Sequence, residues 1–295
     1  MTMTTTQPPL KHLGRKSGSP VQYDAAILEA IPRSLNRETY HITSADPGFT
    51  GFDVWHAWEV SFLMGNGLPV VGVLKIIIPQ DSPSIVESKS LKLYLNALNM
   101  TLWEGATREE SIQKVVHTVE EDLSKLLKTN LTVSFFTHAE MRDNDYAAWD
   151  LLEEQYDFSS LTFDAYRESP DLLHRGEGMK QFRLGTHLLR SNCRVTFQPD
   201  WGSVFIHFKG DRGPSPEGLM RYLVSFRNEN HFHEEVCEMI YKRLWDAFLP
   251  EELMVCCVYT RRGGIDITPV RAHNSSLLPS VLLNPSVIGS KLLRG

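Results

Sequence analysis

Residues 52–78 read FDVWHAWEVSFLMGNGLPVVGVLKIII, and this stretch predicts a β-hairpin. Apolar residues recur on one parity of its first part, at Phe52, Val54, Trp58, Val60 and Phe62. A period of two is typical of a strand with one buried face. Gly65-Asn66-Gly67 then supplies the turn residues that reverse the chain into a second strand over Val70–Ile78. The hairpin predicts the start of an antiparallel sheet.

Two amphipathic helices are predicted after the hairpin. One begins near Glu87-Ser88, and the other begins at Thr107-x-x-Glu110, which has the pattern of a capping box. Their apolar stripes are Leu91, Leu95 and Leu98 in the first helix, and Ile112, Val115, Val116, Val119, Leu123, Leu126 and Leu127 in the second. A strand over 131–136 closes this half of the chain.

The second half of the chain repeats this order. A strand pattern over 204–208 precedes two helical stripes, and strands over 254–259 and 265–270 flank the turn Arg261-Arg262-Gly263-Gly264. We therefore predict an α+β fold of two related units, each an antiparallel sheet backed by two helices. The predicted boundaries are a disordered lead over 1–20, a first module over 21–141, a polar linker over 142–180 and a second module over 181–295.

Composition limits the classes of function. The chain has 295 residues, 42% of them hydrophobic, so it can bury a core without disulfides or metal ions. Its formal net charge of −6 disfavours a protein that binds nucleic acid directly, because such binding needs an excess of Lys and Arg. The N-terminus lacks the apolar segment of a secretory signal, and the longest apolar run is too short to span a bilayer. We expect a cytoplasmic protein.

Cys193 differs from the other cysteines in its surroundings. Cys237, Cys256 and Cys257 lie in apolar patterns that predict small buried side chains, whereas polar residues and a turn surround Cys193. Asp200 follows Cys193 by seven residues. A reactive cysteine needs partial exposure and a nearby charge that favours the thiolate, which Arg194 or a bound cofactor could supply. Asp200 could exchange protons with a covalent adduct, although this pair alone is a weak signal.

Two other polar segments have more than one interpretation. Glu235 opens a helix, where acidic residues complement the helix dipole. His231 and His233 suggest a metal site, but no third ligand at a typical spacing accompanies them. Arg261-Arg262-Gly263-Gly264 suits either a hairpin turn or the binding of a phosphate.

Together these segments resemble the long, two-module form of the 7-cyano-7-deazaguanine reductases, the nitrile reductases of queuosine biosynthesis. The likeness covers nearly the whole chain after about residue 20. The segments that carry it are Pro32-Arg33-Ser34-Leu35-Asn36-Arg37, Glu87-Ser88-Lys89-Ser90-Leu91-Lys92-Leu93-Tyr94, Ser191-Asn192-Cys193, Gln198-Pro199-Asp200-Trp201-Gly202, Phe226-Arg227-Asn228-Glu229-Asn230, Phe232-His233-Glu234 and Tyr259-Thr260-Arg261-Arg262-Gly263-Gly264.

The resemblance implies tandem tunnelling-fold (T-fold) modules and a covalent mechanism. Cys193 would add to the nitrile carbon to give a thioimidate, while Asp200 protonates the nitrogen and His233 lies near the reacting group. Two successive NADPH molecules would then reduce the carbon to the primary amine of 7-aminomethyl-7-deazaguanine. The resemblance implies a homodimer without a metal site.

The resemblance also implies binding residues. Glu87 and Glu234 would accept hydrogen bonds from the guanine-like edge of the substrate. The implied substrate-binding residues are Val86, Glu87, Ser88, His233 and Glu234, and the implied NADPH-binding residues are Ser88, Lys89, Arg262 and Gly263. No GxGxxG motif follows a strand, so a Rossmann cofactor site is not expected. The resemblance assigns no role to His231.

Two alternatives stay open. The first is a metal-dependent hydrolase of the same fold that acts on a purine-like or pterin-like ring, with His231, His233 and a cysteine as ligands. The second is a binding protein that keeps the fold without catalysis.

Overall fold

The computed structural model describes residues 22–43, 46–138, 141–174 and 177–292. The predicted lead over 1–20 lies outside these ranges. The helices are α1 (Ser34–Arg37), α2 (Ser88–Ala97), α3 (Arg108–Leu127), α4 (Leu152–Gln155), α5 (Pro216–Val224), α6 (His233–Phe248) and α7 (Ser280–Leu283). The strands are β1 (Ala30–Pro32), β2 (Thr50–Met64), β3 (Pro69–Pro79), β4 (Ser84–Val86), β5 (Leu102–Trp103), β6 (Thr132–Phe136), β7 (Met141–Arg142), β8 (Asp150–Leu151), β9 (Gln181–Thr186), β10 (Arg190–Asn192), β11 (Pro199–Lys209), β12 (Glu252–Tyr259), β13 (Ile265–Ala272) and β14 (Ile288–Gly289).

One sheet runs through both halves of the chain. Its strand order is β6-β3-β2-β13-β12-β11-β9-β8, with β5 beside β2 and β10 beside β11. The pairs are antiparallel except for β2–β5 and β8–β9. The halves meet where β2 pairs with β13, from Thr50 opposite Ala272 to Ala57 opposite Ile265. The predicted antiparallel α+β class is confirmed, and the sheets of the two halves are continuous.

The long helices pack against one face of this sheet because each buries an apolar stripe. Helix α3 buries Val115, Val119, Leu123 and Leu127 in the core of the first half, as its spacing predicts. Helices α5 and α6 cover the core of the second half. The Thr107 hydroxyl accepts a hydrogen bond from the N–H of Glu110 at 3.1 Å, which confirms the predicted helix start.

A β-bulge in β2 changes which of its side chains face the helices. The register of β2 against β3 shifts between Ala57 and Val60. Trp55 and Ala57 face the helical core before the bulge, and Val60 and Phe62 face it afterwards. Phe52 packs on the other face. The predicted single apolar parity from Phe52 to Phe62 is therefore wrong, because a bulge inserts one extra residue into the strand.

The linker and the C-terminal segment cover the opposite face of the sheet. The rings of Tyr146 and Phe205 stack with their centroids 4.4 Å apart, and residues between 277 and 292 pack on the same apolar cluster. Strand β8 of the linker extends the sheet beside β9. The segment predicted as a linker is thus packed onto the second half. Among the helices of the described ranges, none has both the length and the apolar character for crossing a membrane.

Candidate active site

A cavity of about 340 Å³ lies at the junction of the two halves. The end of β4 and the start of α2 form one wall, and the loop after β10 and the start of α6 form the other. Trp55, Ile265 and Ile267 contribute apolar surface from the sheet. The predicted site residues that line the cavity are Val86, Ser88, Lys89, Cys193, Asp200, His233, Glu234, Arg262 and Gly263. The structure therefore brings these residues together and leaves Glu87 outside the lining.

Cys193 begins a tight loop between β10 and β11. Its N–H donates to the carbonyl of Gln198 at 2.8 Å, and its carbonyl accepts a hydrogen bond from the N–H of Phe197 at 3.0 Å. Cys193 is half-buried at the cavity wall, whereas the other cysteines are buried in the core. Burial raises the pKa of the Cys256 and Cys257 thiols well above the ordinary value. The predicted contrast between Cys193 and the other cysteines is confirmed.

Asp200 faces the cavity from the start of β11 and has two side-chain partners. Its side chain pairs with the guanidinium of Arg262, and its Oδ2 lies 3.5 Å from Nε2 of His233. Burial acts to raise the pKa of Asp200, but the hydrogen bonds and charges of His233 and Arg262 outweigh burial and hold this pKa below its ordinary value. Asp200 is therefore an ionised carboxylate at neutral pH, and once protonated it is a ready proton donor.

His233 is the first residue of α6. Its ring stacks on Tyr259 with a centroid distance of 3.9 Å. The stacking fixes the plane of the imidazole, so that Nε2 points toward Asp200. His233 can thus orient the carboxylate or share a proton with it.

Glu234 follows His233 and presents a buried side chain with one unsatisfied oxygen. The residue is 3% exposed, and within the described ranges its Oε1 has no hydrogen-bond partner. Burial raises the pKa of Glu234 to about 8, and the negative charge of Asp53 adds to this effect. A buried acceptor without a partner is costly, so a ligand that donates N–H groups to Glu234 would be favoured.

Glu87 has a different place from the one its predicted role requires. It is the N-cap of α2, and its two carboxylate oxygens accept hydrogen bonds from the N–H groups of Lys89 and Ser90, each at 2.8 Å. Burial raises the pKa of Glu87. The cap fixes the first turn of α2, whose Ser88 and Lys89 line the cavity.

The turn between β12 and β13 forms part of the cavity rim. Gly263 and Gly264 have φ values of 58° and 80°, which is the backbone of a two-residue hairpin turn. A Cβ at Gly263 would lie 2.4 Å from Nζ of Lys92. Lys89, Lys92 and Arg262 line the cavity here. Cations beside a glycine backbone suit the phosphates of NADPH, so the donor set at this rim fits that cofactor.

Sequence reasoning missed other cavity residues. Trp55 is 1% exposed, lines the cavity and has an indole N–H without a hydrogen-bond partner among the described residues. The predicted apolar positions of β2 are even-numbered, whereas Trp55 is odd-numbered. The sequence pattern therefore predicted the opposite face of the sheet for Trp55. His231 and Gln198 also line the cavity. Arg194, one candidate for a charge near the thiol, instead donates from its guanidinium to Glu235 at 2.7 Å.

A smaller cavity of about 40 Å³ lies on the opposite face of the sheet, lined in part by His56, Trp58 and Asp266. It is too small for a heterocyclic base. In the part of the chain that the structure describes, no group of three or more His, Cys, Asp or Glu side chains is arranged to hold a metal ion. His231 contacts Glu229 and Glu235, whereas His233 contacts other partners.

Known proteins are similar to this chain over most of its length. A family model described as nitrile reductase, 7-cyano-7-deazaguanine-reductase N-term, matches residues 20–135, and one described as QueF-like protein matches residues 199–277. A protein of Chromohalobacter salexigens named NADPH-dependent 7-cyano-7-deazaguanine reductase is 40% identical over 270 residues, which are 92% of this chain and 94% of the relative. A protein of the same name from Acinetobacter baumannii is 38% identical over 276 residues, with 90% and 94% covered.

Among solved structures, the archaeosine synthase QueF-Like in its apo form covers 32% of this chain and 95% of its own, with 18% identity and a TM-score of 0.30. A likeness of that size carries no weight for the architecture. The sequence relatives show the family, since their alignments cover 90% or more of this chain and therefore include both halves. This chain belongs to the family of NADPH-dependent 7-cyano-7-deazaguanine reductases.

Proposed function

We propose that this protein reduces the nitrile of 7-cyano-7-deazaguanine to the primary amine 7-aminomethyl-7-deazaguanine, with NADPH as the reductant, in queuosine biosynthesis. The relatives that match both halves of the chain are named for this substrate and this reductant. The observation that carries the proposal is the cavity between the two halves, which Cys193 lines from a loop, Asp200 from a strand and Glu234 from a helix.

The covalent step uses Cys193 as the nucleophile. Its sulfur bonds to the nitrile carbon, the triple bond becomes a C=N bond, and the proton of the thiol is transferred to the nitrogen. Asp200 is suited to carry this proton because it is ionised in the free site and can return the proton as an acid. Nε2 of His233 lies 3.5 Å from the Asp200 carboxylate and orients it both before and after Asp200 takes up the proton.

Substrate recognition is assigned to Glu234 and the walls around it. A guanine-like edge offers two adjacent donors, N–H and NH2, and an ionised carboxylate can accept from both. The unpartnered Oε1 of Glu234 supports this role. Val86 and Ser88 supply the facing wall. The substrate role of Glu87 stays a prediction, since both of its oxygens already cap α2.

NADPH supplies hydride, and two successive molecules account for the two reductions from nitrile to amine. Ser88, Lys89, Arg262 and Gly263 would hold it at the cavity rim. Arg262 already contacts Asp200, so the cofactor residues adjoin the reacting group.

Mass spectrometry tests the proposal. Incubation with the nitrile base without NADPH should add the mass of the base to the protein at Cys193, and Cys193→Ala should form no adduct. NADPH oxidation should depend on the nitrile. An unmodified wild-type protein with no turnover would refute the proposal. A requirement for stoichiometric zinc would favour the metal-dependent hydrolase, which the relatives do not support.

The finer organisation belongs to the same proposal. We assign the two units over 21–141 and 181–295 as tandem T-fold modules joined by the linker over 142–180. We also retain a cytoplasmic homodimer that binds a small molecule and no nucleic acid directly. Sedimentation of the purified protein tests the oligomeric state.

A further inference from the structure

His231 lies in a charged cluster at the cavity wall that the reaction chemistry does not use. Its Nδ1 is 3.2 Å from Oε2 of Glu235, and its Nε2 is 3.2 Å from Oε2 of Glu229. A carboxylate oxygen only accepts hydrogen bonds, so both ring nitrogens must donate and the ring must be an imidazolium. The same carboxylates raise the pKa of His231 to about 9, although burial opposes them.

The segment that carries His231 is bonded to the residue before the nucleophile. The N–H of His231 donates to the carbonyl of Asn192 at 3.1 Å, and the N–H of Asn192 donates to the carbonyl of Glu229 at 2.8 Å. These two bonds clamp the backbone beside Cys193 to the segment that leads into α6.

Glu235 connects the two segments of this wall through side chains. Its Oε1 accepts from Arg194 of the nucleophile loop at 2.7 Å, while its Oε2 accepts from the N–H of Phe232 at 3.0 Å as well as facing His231. Glu235 therefore links the loop of Cys193 to the start of α6, where the ligand-binding Glu234 lies. Glu235 was predicted only to complement the dipole of α6, and its contacts with Arg194 and His231 are additional to that role.

We propose that His231 is a positioning residue for the nucleophile: its bridge between Glu229 and Glu235 holds the Cys193 loop in register with the start of α6. This inference rests on the proposed function. When the bridge is lost, the cavity should still bind the nitrile base, but Cys193 should be misplaced relative to the nitrile carbon. Small misplacements of a reacting group lower rates strongly without a matching loss of affinity.

The experiment separates binding from bond formation. Thioimidate formation is followed in a single turnover with enzyme in excess and NADPH omitted, and affinity is measured in the Cys193→Ala background. We expect His231→Gln to slow adduct formation about tenfold or more while affinity changes less than about twofold. His117→Gln is the control, because His117 is an exposed residue of α3 with an 82% exposed side chain.

A pH profile distinguishes positioning from a general structural role. Wild-type adduct formation should decline above about pH 9, as His231 loses its proton, and His231→Gln should lack this decline. The charged groups around the ring are Glu229 and Glu235, with Arg194 beyond Glu235 and Arg167 of the linker 3.9 Å from Glu229. The other groups of the cavity are the same in both proteins, so the comparison isolates His231.

Arg194→Gln gives a second test if His231→Gln does not fold. It should slow adduct formation in the same way. Where His231→Gln does fold, the double variant should be less impaired than the product of the two single effects, because both act through Glu235. An adduct rate in folded His231→Gln equal to that of wild type would overturn the inference, as would a parallel loss of affinity. A wild-type protein that forms no adduct would instead refute the proposed function.

Discussion

Proton release on substrate binding is the sharpest prediction for Glu234. With a pKa of about 8 in place of 4.5, about nine-tenths of the Glu234 side chains are protonated at pH 7 in the free cavity. The substrate edge offers two donors, so only the ionised carboxylate can accept both. Binding should therefore release about 0.9 proton per site at pH 7. Affinity should rise with pH up to about 8, because less work is then needed to ionise the group.

Titration calorimetry in buffers of different ionisation enthalpy counts these protons. The Cys193→Ala background prevents the covalent step, and Asp200 contributes little because its pKa is already lowered. Glu234→Gln should abolish the proton release. It should also weaken binding by about 10- to 100-fold, because a hydrogen bond to a charged group contributes about 1.5–3 kcal/mol. Glu217→Gln is the control. Its side chain is 41% exposed, so the substitution should change neither the proton release nor the affinity. Proton release that persists in Glu234→Gln would refute this reasoning.

Other substitutions probe the acid, the cofactor rim and the junction. Asp200→Asn should lower turnover by about 10²–10⁴-fold without loss of fold. Asp211→Asn, on the exposed surface, should leave turnover unchanged. If Asp200→Asn turned over as fast as wild type, Asp200 would have no part in the chemistry. Gly263→Ala should raise the KM for NADPH and cost about 1–2 kcal/mol of unfolding free energy, because φ there is 58°; an unchanged KM would exclude the rim. Arg271→Met should cost about 3–5 kcal/mol in denaturant unfolding, since it removes one buried cation shared by the buried carboxylates of Asp53 and Glu238 and leaves them with excess negative charge. A loss under about 1 kcal/mol would contradict this.

Local signals predicted much of the fold. The turn after β2, the cap at Thr107 and the helical stripes each depend on residues close together in sequence, and the structure has them at the predicted places. The exposure of Cys193 was predictable for the same reason, since polar residues and a turn surround it. What these signals share is that neighbouring residues supply the physical cause.

The features that sequence reasoning missed depend on distant partners. The bulge in β2 is defined by pairing with β3, and it places Trp55 on the same face of the sheet as Val60 and Phe62, although their sequence parity differs. His231 owes its charge to two carboxylates and its importance to the backbone of Asn192. The bulge arises only when β2 pairs with β3, and the contact with Asn192 arises only when the loop before Cys193 packs beside the start of α6, so neither has a short sequence signature.

The buried charges at the junction join stability to the site. Glu238, one helical turn after Glu234 on α6, accepts hydrogen bonds from Arg37 at 2.7 Å and from Arg271 at 2.8 Å, and Arg271 also reaches Asp53 of β2 at 2.8 Å. Burying charges is costly and does not by itself stabilise a fold, but an ion network accepts only partners in the correct geometry. Because Arg37 and Asp53 come from the first half and Glu238 from the second, the network selects one docking of α6 against the sheet. That docking positions Glu234, so the charges that specify the junction also position the carboxylate that we propose binds the substrate.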